Sequence, residues 1–325
     1  MPAANDPQYL PDTPRLSVAG TRIVDPQGTP IRLRGVNRSG LEYSPRAIPD
    51  EDFAQIAHVW GANVVRLPFN QDWALNGGRG LTADDYLGLL DHAIEHLACH
   101  GAYALLDLHW LDARRAFGAR RQFVPPLPDP DSPAVWAKLA KRYAANPAVM
   151  FDLLNEPHDR TAEDPYPLWR PDGTQYPQEH RRVSIEEWQP WAELLIDTVR
   201  ADAPETLLFV SGTNWGYNLR GLPVNRPNLV YSTHVYRSKG DDWWGAFGHL
   251  AETAPVFVGE FGGGDDDVEW GRYLLDYLED MEIGWAAWSY SDHPHLVTAD
   301  ARTTPFGEIV RQRLADPTME SWTRS

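Results

Sequence analysis

Along residues 16–37 apolar and polar positions alternate. Leu16-Ser-Val and Thr21-Arg-Ile-Val24 flank Gly20, Asp25-Pro-Gln-Gly28 supplies a second turn, and Ile31-Arg-Leu-Arg-Gly-Val-Asn37 continues the pattern. Period-two alternation around such turns predicts a hairpin that feeds a longer strand. From there, helical periodicity and short apolar runs take turns. Helices are expected over 50–60, 82 or 83–99, 132–145, 184–201, 241–253, 267–281 and 303–314. The runs expected as strands are Asn63–Pro68, Tyr103–Leu108, Val149–Leu154, Thr206–Ser211, Leu229–Thr233, Val256–Gly259 and Gly284–Trp288.

Counted from Ile31, these make eight strands separated mostly by helices. Near-continuous apolar strands belong to parallel sheets covered by helices. Eight strand–helix units in a chain of 325 residues predict an α/β fold, a (β/α)₈ TIM barrel in one domain, with a short N-terminal β-hairpin before strand one. The expected organisation is an irregular proline-rich segment over 1–15, the catalytic barrel over 16–315 and a tail over 316–325. Two connections are long, 109–131 and 155–182, and both follow strands. In a barrel they rise on the C-terminal face, where active sites are built.

Composition changes this picture little. A net charge of −17 argues against nucleic acid, whose phosphates demand basic patches. No stretch is apolar enough to span a membrane, and no charged start leads into an apolar run, so the chain reads as free of a signal peptide. Cys99 stands alone and excludes an intrachain disulfide. The 14 tryptophans are more than a core of this size needs, which directs attention to where they fall.

Chemistry gathers at the strand ends. In Phe151-Asp-Leu-Leu-Asn-Glu-Pro-His158, Pro157 disfavours helical geometry at Glu156 and holds it extended at the tip of an apolar run. Pro255-Val-Phe-Val-Gly-Glu-Phe261 repeats the arrangement with Glu260. A carboxylate there is costly unless something uses or pairs it, and two such glutamates are what glycoside hydrolysis requires. The other strand ends carry Arg66, His109, Asn155, His234, Tyr236 and Trp288.

In this order and on these strands, Arg34-Gly-Val-Asn37, Arg66, His109, Asn155-Glu156-Pro157, His234-Val-Tyr236, Glu260 and Trp288 resemble glycoside hydrolase family 5, which contains many cellulases and related β-glycanases. The resemblance spans residues 31–288. It implies that Glu156 is the general acid/base and Glu260 the nucleophile of a retaining double displacement. Arg66 and Tyr236 would stabilise the charge on Glu260, and Asn155 would bind the sugar 2-OH. His109 and His234 would complete the polar shell, and Trp288 would serve as the sugar platform. Trp73, Trp110, Trp215, Trp243 and Trp244 also follow strands and are candidates for stacking on further sugars.

The reading is therefore an endo-β-1,4-glucanase with no cofactor and no metal, acting on a β-linked glucan or oligosaccharide. Mannan, xyloglucan, mixed-linkage glucan and exo-action as a β-glucosidase stay open under the same mechanism. A metal-dependent barrel hydrolase and a non-catalytic carbohydrate-binding protein are the alternatives from other classes. The resemblance implies secretion, with a cytoplasmic location as the alternative; oligomeric state is not legible. His293-Pro-His295 has the look of a metal pair without matching ligands, and Asp265-Asp-Asp267 reads as capping acids at a helix start. Arg114-Arg115, Arg120-Arg121 and Arg181-Arg182 read as balancing an acidic surface.

Overall fold

A computed structural model describes residues 13–40, 49–78, 80–112, 124–164, 166–291 and 296–315. His293, His295, Arg114, Arg115, Arg120 and Arg121 lie outside them, as do residues 1–12 and 316–325. The hairpin forms where the alternation placed it, with β1 (Ser17–Ala19) antiparallel to β2 (Arg22–Val24). Eight further strands follow: β3 (Arg34–Asn37), β4 (Val64–Asn70), β5 (Tyr103–Trp110), β6 (Val149–Asp152), β7 (Leu208–Ser211), β8 (Leu229–Val235), β9 (Val256–Phe261) and β10 (Gly284–Ala287). They run parallel and close as a ring, β10 pairing with β3, so no sheet edge is left open.

Among the described residues, the α-helices outside the ring are α1 (Asp50–Ala54), α2 (Gln71–Asn76), α3 (Ala83–Cys99), α4 (Ser132–Tyr143), α5 (Ile185–Asp202), α6 (Trp243–Ala246), α7 (Val268–Asp280) and α8 (Pro305–Leu314). Local signals set their starts. The hydroxyl of Thr82 accepts from the Asp85 amide while the Asp85 carboxylate accepts from the Thr82 amide, a capping box that opens α3. Thr304 caps α8 just before Pro305. Two expectations are corrected. Residues 55–59 continue α1 as a π-turn, and the helix expected over 241–253 breaks at Phe247 (φ −147°) into α6 and a 3₁₀ turn, Gly248–Glu252.

Strand alternation sorts the barrel interior into floors. Val64, Leu105, Met150, Phe209, Val230, Phe257 and Ala286 form a buried apolar cluster, and Leu16 and Ile23 of the hairpin segment join it. Phe209 and Phe257 meet edge-to-face at 5.3 Å. Two residues further along several of the same strands stand Arg66, Asp107, Asp152, Ser211 and Ser232, on the same face because side chains repeat every second residue. The interior thus turns from apolar to polar toward the C-terminal ends. The second, larger cluster fills the layer between strands and helices.

Candidate active site

Arg66, fully buried on β4, joins the site together. Its Nε donates to Asp152 Oδ2 at 2.9 Å. Its Nη1 donates to Glu260 Oε1 at 2.8 Å and to Asn37 Oδ1 at 3.0 Å. Its Nη2 donates to Asn155 Oδ1 at 2.9 Å and lies 3.0 Å from Asp107 Oδ1. Burial opposes the charge, but Asp107, Asp152 and Glu260 together outweigh it, so the guanidinium stays protonated. Burial in turn holds Asp107 and Asp152 above the ordinary carboxylate range, with Arg66 working against that shift.

Backbone pairing past the formal end of β6 positions the first glutamate. The strand ends at Asp152 rather than at Leu154 as the apolar run predicts. The Leu153 amide still donates to Phe209 O at 3.1 Å and the Asn155 amide to Leu108 O at 3.0 Å. Asn155 and Glu156 are therefore held between neighbouring strands. Glu260 lies inside β9, opposite His234 of β8, beside a register shift between Thr233 and His234.

One oxygen of Glu156, one of Glu260 and a ring nitrogen of His234 lie within 4.8 Å of one another. His234 Nδ1 is 2.9 Å from Glu156 Oε1 and 3.8 Å from Glu260 Oε2. A Cβ on Gly216 would come within 2.9 Å of the ring's Cγ, and one on Gly259 within 3.0 Å of its Nε2, so two glycines let the backbone close on this histidine. Nε2 is buried without a hydrogen-bond partner among the described residues. An unpaired N–H there would cost more than a lone pair, so the ring proton sits on Nδ1 and is donated to Glu156 Oε1. Glu156 Oε2 remains for a proton of its own.

The two glutamates sit in different fields. Burial pushes Glu156 up to about 7, with His109, Arg66 and Lys239 pulling against it. Glu260 accepts from Arg66 Nη1 and, on its other oxygen, from the Tyr236 hydroxyl at 2.9 Å. Burial and the nearby Glu260 hold that phenol well above its usual range, so it remains a donor. Burial lowers His234 to about 3 and His109 to about 4, which leaves both rings neutral. His109 Nδ1 is fixed by Asp107 Oδ2 at 2.6 Å, and its ring stacks on Trp288 at 5.4 Å.

The tryptophans divide. Trp288 is half-buried and Trp110 buried, packed at 4.8 Å against His109. Trp215 is 37 % exposed and lies flat on His158, 3.5 Å between centroids; its amide donates to Pro157 O. Trp244 is 49 % exposed on α6. Trp73 and Trp243 correct the expectation of sugar stacking. They are 1 % and 2 % exposed, Trp73 edge-on to Tyr86 and Trp243 packed against Tyr273 and Tyr277, with no open face.

Sequence reasoning passed over Asn37, Asp107, Asp152, His158 and Lys239 as site residues. Asp107 and Asp152 did leave a signal, a charge inside an apolar strand. Lys239 left none: it comes from the 3₁₀ turn after β8, donates to Asn214 O at 3.0 Å, and acts electrostatically on Glu156. The Glu156–His234–Glu260 triangle has the spacing of metal ligands, yet both Glu260 oxygens already accept hydrogen bonds, one from a guanidinium that repels a cation.

A closed parallel barrel with two glutamates facing one another at the C-terminal ends of its strands, one protonatable near neutrality and one clamped by donors, is the constellation of two-carboxylate glycoside hydrolases. The chain belongs to the cellulase family, glycosyl hydrolase family 5, whose family model matches residues 24–294. Endoglucanase E-5 of Thermobifida fusca is 25 % identical over 300 residues, covering 86 % of this chain and 56 % of that protein. Cellulase CelDZ1 of a Thermoanaerobacterium species is 26 % identical over 86 % of this chain and 71 % of its own. The chain spans little more than half the length of several curated relatives it matches. Among solved structures, a β-glucanase from Saccharophagus degradans superposes with a TM-score of 0.77 at 22 % identity, covering 99 % of this chain and 98 % of that one. An endocellulase from Pyrococcus horikoshii, crystallised with cellotetraose, gives 0.74 at 25 % identity, covering 94 % of this chain and 100 % of that one. No helix among the described residues is long and apolar enough to cross a membrane.

Proposed function

We propose that the protein is a retaining endo-β-1,4-glucanase, with Glu156 as general acid/base and Glu260 as nucleophile. The observation that carries the mechanism is the approach of the two carboxylates. Oxygens within 4.8 Å fit the separation of about 5–5.5 Å used for a glycosyl-enzyme intermediate and fall short of the roughly 6.5–9.5 Å that leaves room for an inverting water.

In the first step Glu156 gives its proton to the glycosidic oxygen while Glu260 attacks the anomeric carbon. The leaving chain departs with that proton, and a covalent ester joins the sugar to Glu260. In the second step Glu156, now ionised, takes a proton from water, whose oxygen displaces Glu260 from the same carbon. Anomeric configuration is retained after two inversions.

The surroundings support these roles. Arg66 and Tyr236 each donate a hydrogen bond to Glu260 and hold it in place, as an attacking carboxylate needs. The Asn155 side-chain oxygen is taken by Arg66, so its amide hydrogens are the part left to meet the sugar 2-OH. The stacking of Trp288 on the His109 ring supports its role as the sugar platform, and the exposure of Trp215 supports it as a candidate for a further subsite. Cellotetraose bound in structures of the Pyrococcus and Thermobifida relatives supports a β-1,4-glucan as substrate. The test is hydrolysis of soluble cellulose, mannan and β-1,3-glucan in parallel, with the anomer released followed by NMR. Cleavage within soluble cellulose with retention is expected; activity on mannan alone, or inversion, would overturn the assignment.

A further inference from the structure

Between two outer helices, α1 and α3, lies a second cluster of ligand-type side chains. Asp50 opens α1, and His92 and His96 lie one turn apart on α3, so both imidazoles project from one helix face. Asp50 Oδ1 is 2.8 Å from His92 Nε2 and 3.6 Å from His96 Nε2, and one donor atom from each of the three residues falls within 4.8 Å of the other two. We propose that Asp50, His92 and His96 form a zinc-type divalent metal site that ties α1 to α3.

The donor set selects the ion. Two imidazole nitrogens and one carboxylate oxygen suit zinc and its transition-metal neighbours, whereas calcium and magnesium take oxygen donors. Zinc–ligand bonds of 2.0–2.1 Å place tetrahedral donors about 3.3 Å apart, and the separations of 2.8 and 3.6 Å bracket that value. Small rotations of the rings bring the third pair into range.

The rings are also held in place. Phe53, fully buried on α1, stacks on His96 at 5.6 Å and meets His92 edge-on at 6.4 Å, and the two imidazoles lie 4.3 Å apart. A site already ordered by packing gives up less entropy when an ion arrives. All three donors are partly exposed, which leaves an entry path and room for a water as fourth ligand. One turn further along, His100 Nδ1 faces His58 Nε2 at 2.9 Å, so the same seam carries a second imidazole pair. None of these residues contacts the catalytic glutamates, and the ion stabilises the fold rather than serving hydrolysis.

The test is calorimetric titration of tag-free protein with zinc chloride, alongside thermal unfolding. One equivalent should bind saturably. At about a hundredfold excess over Kd the Tm should rise by roughly 4 °C, since an ion that binds only the folded chain stabilises it by mass action. His96→Gln should weaken binding more than about 100-fold and abolish the Tm rise, with cellulose hydrolysis unchanged. Should that variant fail to fold, Asp50→Asn, at a more exposed position, carries the same expectation. Absence of saturable binding to the wild type would overturn the proposal. So would undiminished binding to the variants, which would place the ion elsewhere, for instance on Glu156, His234 and Glu260.

Discussion

Arg66 donates from Nη1 to Glu260 Oε1 at 2.8 Å across 194 residues of chain, and both side chains are buried. This contact links the stability of the barrel to the carboxylate proposed as its nucleophile. The same guanidinium orients Asn155 and balances Asp107 and Asp152 below it.

Replacing the proposed nucleophile separates chemistry from fold. Glu260→Ala should retain the far-UV circular dichroism spectrum and lose activity by about 10⁴-fold or more. Added azide, which fits the space of the missing carboxylate, should restore part of the rate by a single displacement at the anomeric carbon and release the α-glycosyl azide. Near-normal hydrolysis in Glu260→Ala would refute the assignment. Tyr236→Phe, which removes one charge-assisted hydrogen bond, should lower kcat/KM by about 10–100-fold.

Removing the buried cation should hurt far more than activity. Arg66→Met leaves three carboxylates without their common partner, at a cost of about 3–5 kcal/mol. Urea unfolding followed by tryptophan fluorescence measures it. Arg66→Lys should recover little, because one ammonium cannot reproduce a planar fork that reaches five oxygens.

The pH profile should report Glu156. With this carboxyl pushed up to about 7, the basic limb of kcat/KM should fall with a midpoint near pH 7. Lys239 favours the ionised form, so Lys239→Met should move that limb to higher pH while leaving the fold intact. An unmoved limb would show that the lysine does not act on the acid.

Stability should shift over the same range. A carboxyl near 4.5 when unfolded and about 7 when folded binds its proton more tightly in the native state. Its contribution is full below about pH 4.5 and is lost as pH rises through about 7. Glu156→Gln, which stays neutral, should therefore be more stable than wild type at pH 8, by on the order of 2–3 kcal/mol, and similar at pH 4. Thermal melts at the two pH values decide it.

The tryptophans should split by burial. Trp215→Ala should raise KM for cellotetraose and longer chains with little change in Tm, since its ring is 37 % exposed. Trp73→Ala, at 1 % exposure, should cost about 3–5 kcal/mol of stability with no particular effect on long substrates. Equal effects on KM would erase the distinction drawn from burial.

Much of this was legible in the chain. The hairpin and the eight strands follow from local periodicity that needs no partner. The missed parts are those in which distant segments decide. Helix 241–253 breaks although its residues permit a helix, and β6 stops at Asp152 although its apolar run continues. The histidines at 92, 96 and 100 repeat every four residues, a visible spacing whose use depended on where Asp50 and His58 would fall.

By itself the sequence determined the barrel and the strand ends at which Glu156 and Glu260 would stand, because side-chain alternation and turn residues act over a few positions. Closure of the ring decided the rest: which carboxylates share Arg66, which nitrogen of His234 carries the proton, and which tryptophans keep a face open to solvent. Those depend on separations of a few ångströms between residues up to about two hundred positions apart, and only the packing of the whole barrel sets them.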